Sequence, residues 1–310
     1  MKICVIGAGA IGGLLAAKLA HSGQDVSVVA RGAHLAAIRA DGLILREEGR
    51  ETVARVAATD RIGAIDSPDL VILGMKAHQV AAVAVDVAEI LSPTSLVLTA
   101  QNGLPWWYFF KHGGRHEGVT LQSVDPGGVI AKHLPIGQII GAVVYPAAEI
   151  ERPGVIRHIE GNRFSLGEID GAKSERLARI SDAFAAAGFK APASSDIRSE
   201  IWTKLWGNAS FNPISALTHA TLQDICRYAP THELAAQMMS ETQAVGAHKT
   251  SMLQDVENGR AIEAEALIGS VLELARMAGI ATPHMDAVYA LTKLLGRTLA
   301  DASGRLAITG

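Results

Sequence analysis

The sequence predicts an α/β protein: an N-terminal, doubly wound parallel sheet of the Rossmann type, followed by a second, all-helical domain. Three observations carry this. The apolar run Ile3-Cys4-Val5-Ile6 leads straight into Gly7-Ala8-Gly9-Ala10-Ile11-Gly12, a glycine-rich turn between a buried strand and a helix. Strand-like and helix-like segments then alternate, the pattern of parallel strands joined by right-handed crossovers. After Asp196 the alternation stops, and nearly everything to Leu299 reads as helix.

Residues 1–6 form the first strand and 11–21 the first helix, with Leu14, Leu15 and Leu19 along one side. The turn at Ser22-Gly23 leads to a second strand at 26–29. Residues 43–46 and 52–56, separated by Glu47-Glu48-Gly49-Arg50, read as a polar-tipped hairpin. A buried strand at 70–73, an alanine- and valine-rich helix at 79–90 and a strand at 96–99 follow. From 103 to 139 periodicity is poor and glycine, proline and histidine accumulate, which suits a lid, a partner surface or a solvent-exposed insertion. Residues 141–145, 155–159 and 163–166 read as antiparallel strands, and 174–187 as a helix ended by Gly188 and Pro192. In the second domain, breaks are expected at Asn212-Pro213, Ala229-Pro230 and Thr282-Pro283. The boundary near 196 gives domains 1–196 and 197–310.

Composition narrows the function. The 310 residues carry 28 Lys+Arg against 31 Asp+Glu, a net charge of −3, so neither nucleic acid nor an anionic membrane surface is an expected partner. The two cysteines, Cys4 and Cys226, are far apart, which suits a reduced, cytoplasmic protein. The apolar stretch after Lys2 faintly mimics a signal peptide, but glycines interrupt it and Lys18 and His21 break it. No apolar run reaches membrane-spanning length. His112 and His116 flank Gly113-Gly114, which argues against a helical zinc pair, and no metal is expected.

The glycine turn suits a pyrophosphate for physical reasons. Gly7 permits the tight turn, Gly9 removes a side chain where phosphate approaches, and Gly12 lets the helix pack close to the strand. The amides of Ala8, Ala10 and Ile11, with the positive end of the helix, then face the anion. The alternative is a tight turn with no ligand. The second strand runs into Ala30 and Arg31 with no acid to hold a ribose hydroxyl, so Arg31 suits a 2′-phosphate and favours NADP over NAD. Lys76 and Asn102 follow strands at their carboxyl ends, where open α/β sheets bind ligands. Each could equally be an ordinary loop residue.

Lys204, Asn208 and Asn212 recur every fourth residue, stacking on one helix face about 6 Å apart along the axis. One ammonium and two amides facing a cleft can donate to a ketone oxygen and bind hydroxyl or carboxylate groups. Late capping before Pro213 explains Asn212 well and Asn208 poorly.

Through these motifs the chain resembles the ketopantoate reductase (2-dehydropantoate 2-reductase) family nearly end to end. The residues carrying the resemblance are Gly7, Gly9 and Gly12, Met75-Lys76-Ala77, Gln101-Asn102-Gly103, and Glu200-Ile201-Trp202-Thr203-Lys204-Leu205 with Asn208 and Asn212-Pro213. Ser251-Met252-Leu253-Gln254-Asp255, with Ile262-Glu263 beyond it, completes the set. The resemblance implies that NADPH delivers hydride to the keto carbon of ketopantoate, giving pantoate for pantothenate biosynthesis. It implies Lys204 as catalytic lysine and Glu263 as its acidic partner and a cofactor contact. Asn208, Asn212, Ser251 and Asn102 fall at substrate-binding positions, and Arg31, Lys76 and Asn102 at cofactor contacts. Without the resemblance, Glu263 reads as an exposed helix charge and Ser251 as a helix cap.

Two departures leave the substrate open. Leu222 stands where some members carry another asparagine, and Pro105-Trp106-Trp107-Tyr108-Phe109-Phe110 also departs, an aromatic run that reads as a core plug, an interface or part of a lid. A reductase of another branched or aromatic 2-keto acid, a D-2-hydroxy acid dehydrogenase, is the alternative within the class. A non-catalytic NADP-sensing protein is the alternative outside it. A homodimer is left open.

Overall fold

The computed structural model describes residues 1–245 and 263–301. They fall into two compact units: Met1–Gln101 with Trp107–Thr120 and Gly128–Ile197, and Asn102–Trp106 with Leu121–Gly127 and the described residues from Arg198 on. Residues 102–106 and 121–127, which the sequence reading places in the first domain, thus group with the second unit.

The first unit is built on seven strands: β1 (Lys2–Ile6), β2 (Asp25–Val29), β5 (Ala57–Thr59), β6 (Leu70–Leu73), β7 (Leu96–Thr99), β8 (Ile139–Val144) and β11 (Phe164–Glu168). Their order is β11-β8-β7-β6-β1-β2-β5. All pairs are parallel except β11 on β8. β1 and β6 are almost wholly buried, which explains their unbroken apolar runs. The chain begins in the middle of the sheet, moves outward through β2, then returns to β6 on the other side. β1 and β6 therefore flank the topological switch point, where such sheets take ligands at the strands' carboxyl ends.

A second sheet, in the order β4-β3-β10-β9, consists of β3 (Leu43–Glu47), β4 (Arg50–Ala54), β9 (Ala147–Arg152) and β10 (Val155–Glu160). It packs on α1 (Ala10–His21). Gly13 makes the approach possible, since a Cβ there would stand 2.7 Å from Ile156 Cδ1. Lys18 Nζ pairs with Glu47 at 2.7 Å, and His158 Nδ1 meets the same carboxylate at 2.6 Å.

Two local expectations change, and the alternatives for the aromatic run narrow to the core plug. Residues 155–159 lie in the second sheet, where β10 pairs antiparallel with β9 and parallel with β3, and β9 itself was not anticipated. The 79–90 helix is two 3₁₀ turns followed by α3 (Ala84–Ile90), and α2 (Gly32–Asp41) is additional. In the irregular segment, Trp106, Trp107 and Phe109 are buried, so its aromatic run fills core. Trp107 Nε1 donates to Thr99 Oγ1 at 3.0 Å.

The second unit is helical: α6 (Ile197–Thr218), α7 (Leu222–Arg227), α8 (Ala229–Val245), α9 (Ser270–Ala278) and α10 (Pro283–Asp301), with α4 (Val129–His133) and α5 (Glu175–Ala186) lying earlier, in the first unit. α6 runs through Pro213, so the expected break there is absent. From residue 205 to 216 every side chain is buried or half-buried, and contacts on all sides offset the hydrogen bond that proline removes. Pro230 and Pro283 stand in the first turns of α8 and α10, where the missing donor costs little. Among the described residues no helix is long and apolar enough to cross a membrane. Cys4 is buried in β1, and burial pushes its thiol up to about 12; Cys226 is exposed on α7.

Candidate active site

In the first unit the loop between β1 and α1 is shaped by the glycines. Gly7 has φ +91°, and its N–H donates to Val29 O at 3.0 Å. A Cβ at Gly12 would stand 2.0 Å from Gly7 O, so only glycine closes this turn. Gly9 caps α1, and a Cβ there would meet nothing within 4 Å, leaving that face open to an approaching group. The first turn of α1 holds no acid to neutralise the helix's positive end. Gly74, after β6, packs under the loop, its notional Cβ 2.8 Å from Gly12 Cα. Half-buried Lys76 follows, its N–H on Gln79 Oε1 at 3.1 Å. Gln101 Nε2 donates to Leu73 O at 2.6 Å, tying the ends of β6 and β7 together. This cradle fits a pyrophosphate.

Arg31 is exposed after β2, at the start of α2, with no acid in that helix's first turn. A residue the sequence reading missed lies three positions on. His34 Nε2–H donates to Ala8 O at 2.7 Å, while Nδ1 accepts from Gly154 N–H at 3.0 Å. That pairing assigns the neutral tautomer, and burial lowers the ring's pKa below its usual value. His34 thus anchors the glycine loop to the β9–β10 turn. Its partners lie 26 and 120 residues away in sequence, so no local signal marks it.

In the second unit, Lys204 on α6 donates from Nζ to Asn102 Oδ1 at 2.5 Å. Asn102 therefore sits with the lysine. Burial lowers the Lys204 pKa to about 8, and the negative charge of Glu263 opposes that shift. Glu263 is only 6 % exposed, which excludes the exposed-charge alternative. A carboxylate this dry needs a cation nearby. Asn208 and Asn212 are buried on the same helix at 1 % and 4 % exposure. Asn212 Nδ2 has no hydrogen-bond partner among the described residues, which is uncommon for a buried amide. Leu222 is exposed in the first turn of α7. Ser251 lies outside the described residues.

Comparison with known proteins identifies the family. Residues 3–107 match the family model described as "Ketopantoate reductase PanE/ApbA", and residues 196–248 and 242–296 match its C-terminal counterpart. A 2-dehydropantoate 2-reductase of Mesorhizobium japonicum is 49 % identical over 318 residues, covering 95 % of this chain and 98 % of that protein. A crystal structure from Ralstonia solanacearum MolK2, assigned provisionally as a ketopantoate reductase, superposes with a TM-score of 0.92. It shares 38 % identity and covers 96 % of this chain and 98 % of its own. D-mandelate dehydrogenase, solved with NADH and anilino(oxo)acetate, shares the fold at a TM-score of 0.82 and 22 % identity, over 97 % of this chain and all of that one (100 %).

Proposed function

The chain belongs to the ketopantoate reductase family, a family of oxidoreductases, and on that premise we propose that it reduces 2-dehydropantoate to pantoate with NADPH, in the cytoplasm, for pantothenate biosynthesis. The observation that carries this reading is the half-buried Lys204, held by Asn102 and balanced by Glu263. A nicotinamide, when bound, supplies a hydride donor. Everything else falls to the chain's own side chains.

As the keto carbon is reduced, its oxygen gathers negative charge. A fixed cation beside that oxygen stabilises the charge, and a cation that also gives up a proton lowers the barrier further. Lys204 suits both tasks. With a pKa of about 8 its amine is mostly protonated near neutral pH, yet it releases a proton more readily than a solvated lysine. Glu263 keeps the ammonium charged against the desolvation around it, and Asn102 Oδ1 fixes its direction. Asn212 Nδ2, buried and without a partner, is suited to a substrate hydroxyl or carboxylate, with Asn208 one turn before it. Ser251 is assigned to the same set by family register alone.

The cofactor would lie with its pyrophosphate at the Gly7–Gly12 turn, near Lys76. Arg31, with no neighbouring acid in the first turn of α2, selects the 2′-phosphate of NADPH. Purified protein mixed with NADPH or NADH and a panel of 2-keto acids, followed by cofactor absorbance, tests the proposal. Turnover of 2-dehydropantoate with a preference for NADPH is expected. Turnover only of a mandelate- or isovalerate-type keto acid would replace the substrate. No turnover with any keto acid would leave a nucleotide-binding sensor.

A further inference from the structure

Helix α9 is entered through an irregular turn that bears directly on Lys204. Over Glu265–Gly269 the chain is π-helical, and Ser270 N–H donates to Glu265 O, five residues back. In an α-helix that amide would serve Ala266 O instead. The Ala266 carbonyl is taken up by Leu104 N–H at 3.0 Å and by Ser270 Oγ at 2.7 Å. Gly103 fits against the same carbonyl. At its φ of +89° a Cβ would stand 2.1 Å from Ala266 O and 2.5 Å from the carbonyl carbon, far inside contact distance.

The backbone of Gly103-Leu104 is therefore clamped to the π-turn, and the residue just before it is Asn102, whose side chain receives Lys204. Glu263 lies two residues upstream of the same turn. The turn is itself anchored. Glu265 accepts from Tyr289 Oη at 2.9 and 2.8 Å and pairs with Lys293, both on α10. Its carboxylate also covers Gly269, where a Cβ would stand 2.5 Å from Glu265 Oε2. Helix irregularities of this kind are often found at functional sites.

We propose that this π-turn is the positioning element for the proton donor. Through Gly103 and Ala266 it holds Asn102 on the Lys204 amine, it sets the approach of Glu263, and Glu265 locks it to α10. Gly103, Glu265 and Tyr289 are then positioning residues, acting through Asn102 without touching substrate or cofactor. The inference rests on the reading of Lys204 as proton donor.

The test compares Gly103→Ala, Tyr289→Phe and Lys204→Ala in the full-length enzyme. The readouts are kcat, keto acid KM, NADPH affinity by fluorescence titration, and the pH profile of kcat. A displacement of about an ångström at a reacting group costs roughly 10²-fold, so Gly103→Ala should lower kcat by about that factor, with NADPH affinity within about twofold of wild type. Its alkaline limb should move to lower pH, because an ammonium that loses an acceptor deprotonates more easily. Tyr289→Phe, which removes one oxygen, should lower kcat by a smaller factor and move the limb in the same direction. A folded Gly103→Ala enzyme with wild-type kcat and limb overturns the proposal. Should that variant not fold, Tyr289→Phe decides: no change in kcat or limb overturns the proposal. Turnover that survives Lys204→Ala overturns the proton-donor reading itself. Loss in Lys204→Ala alone, with the other two at wild type, sinks only the positioning role.

Discussion

In the first unit the proposed pyrophosphate cradle is made of backbone, while in the second the proposed acid site is made of side chains. Gly7, Gly9, Gly12 and Gly74 act by lacking a Cβ, and the helix end supplies the polarity. Lys204, Asn102 and Glu263 act through ionisable and amide groups, each brought from a different stretch of chain. A backbone site is specified almost locally: three glycines at one strand–helix junction carry it, and Gly74 alone comes from further along the chain. A side-chain site needs packing that reaches across the sequence, so its chemistry can be tuned but also lost by changes far from the reacting atoms.

This contrast predicts which kinetic constant each change moves. Lys204→Ala should have the largest effect, lowering kcat by about 10²–10⁴-fold while leaving NADPH affinity as it was. Persistent turnover in that variant would break the contrast outright. Gly12→Ala should do the opposite. Its Cβ would collide with Gly7 O, so NADPH affinity should weaken by about 10- to 100-fold in a fluorescence titration, or roughly 1.4–2.8 kcal/mol, with kcat at saturating cofactor largely kept. Arg31→Ala should weaken NADPH by about tenfold or more, the scale of a charge-assisted hydrogen bond, and leave NADH nearly untouched. Equal losses for the two cofactors would remove its role.

The smallest change concerns pH. A proton donor with a pKa of about 8 is lost as pH rises through that value, so the pH profile of the keto acid reduction should fall off on its alkaline side. Glu263 raises the Lys204 pKa, so Glu263→Gln should shift this limb downward, by about half a unit if the attraction is worth ~0.7 kcal/mol. A limb that stays in place would mean the two charges do not communicate.

Much of the first unit can be read locally. The β1–α1 junction, the strands at 70–73 and 96–99 and the hairpin all follow from apolar runs bounded by turn residues. α2 and β9 escaped notice because one is short and alanine-rich and the other is half charged with a single large apolar residue, so neither stands out from its flanks. The spacing of Lys204, Asn208 and Asn212 was legible because a helix turns every 3.6 residues or so. Pro213 was misread as a stop because local propensity says nothing about burial on all sides. Neither the π-turn nor His34 leaves a trace in periodicity. Both are set by partners distant in sequence, Leu104 for one and Gly154 for the other.

The two thiols described above differ in a way that has experimental use. Cys4 is locked inside the buried strand β1 with its thiolate form suppressed, while Cys226 stands in solvent on α7. A maleimide dye should therefore attach at one place per folded chain, giving the native sequence a ready-made optical handle on its helical half without any engineered cysteine.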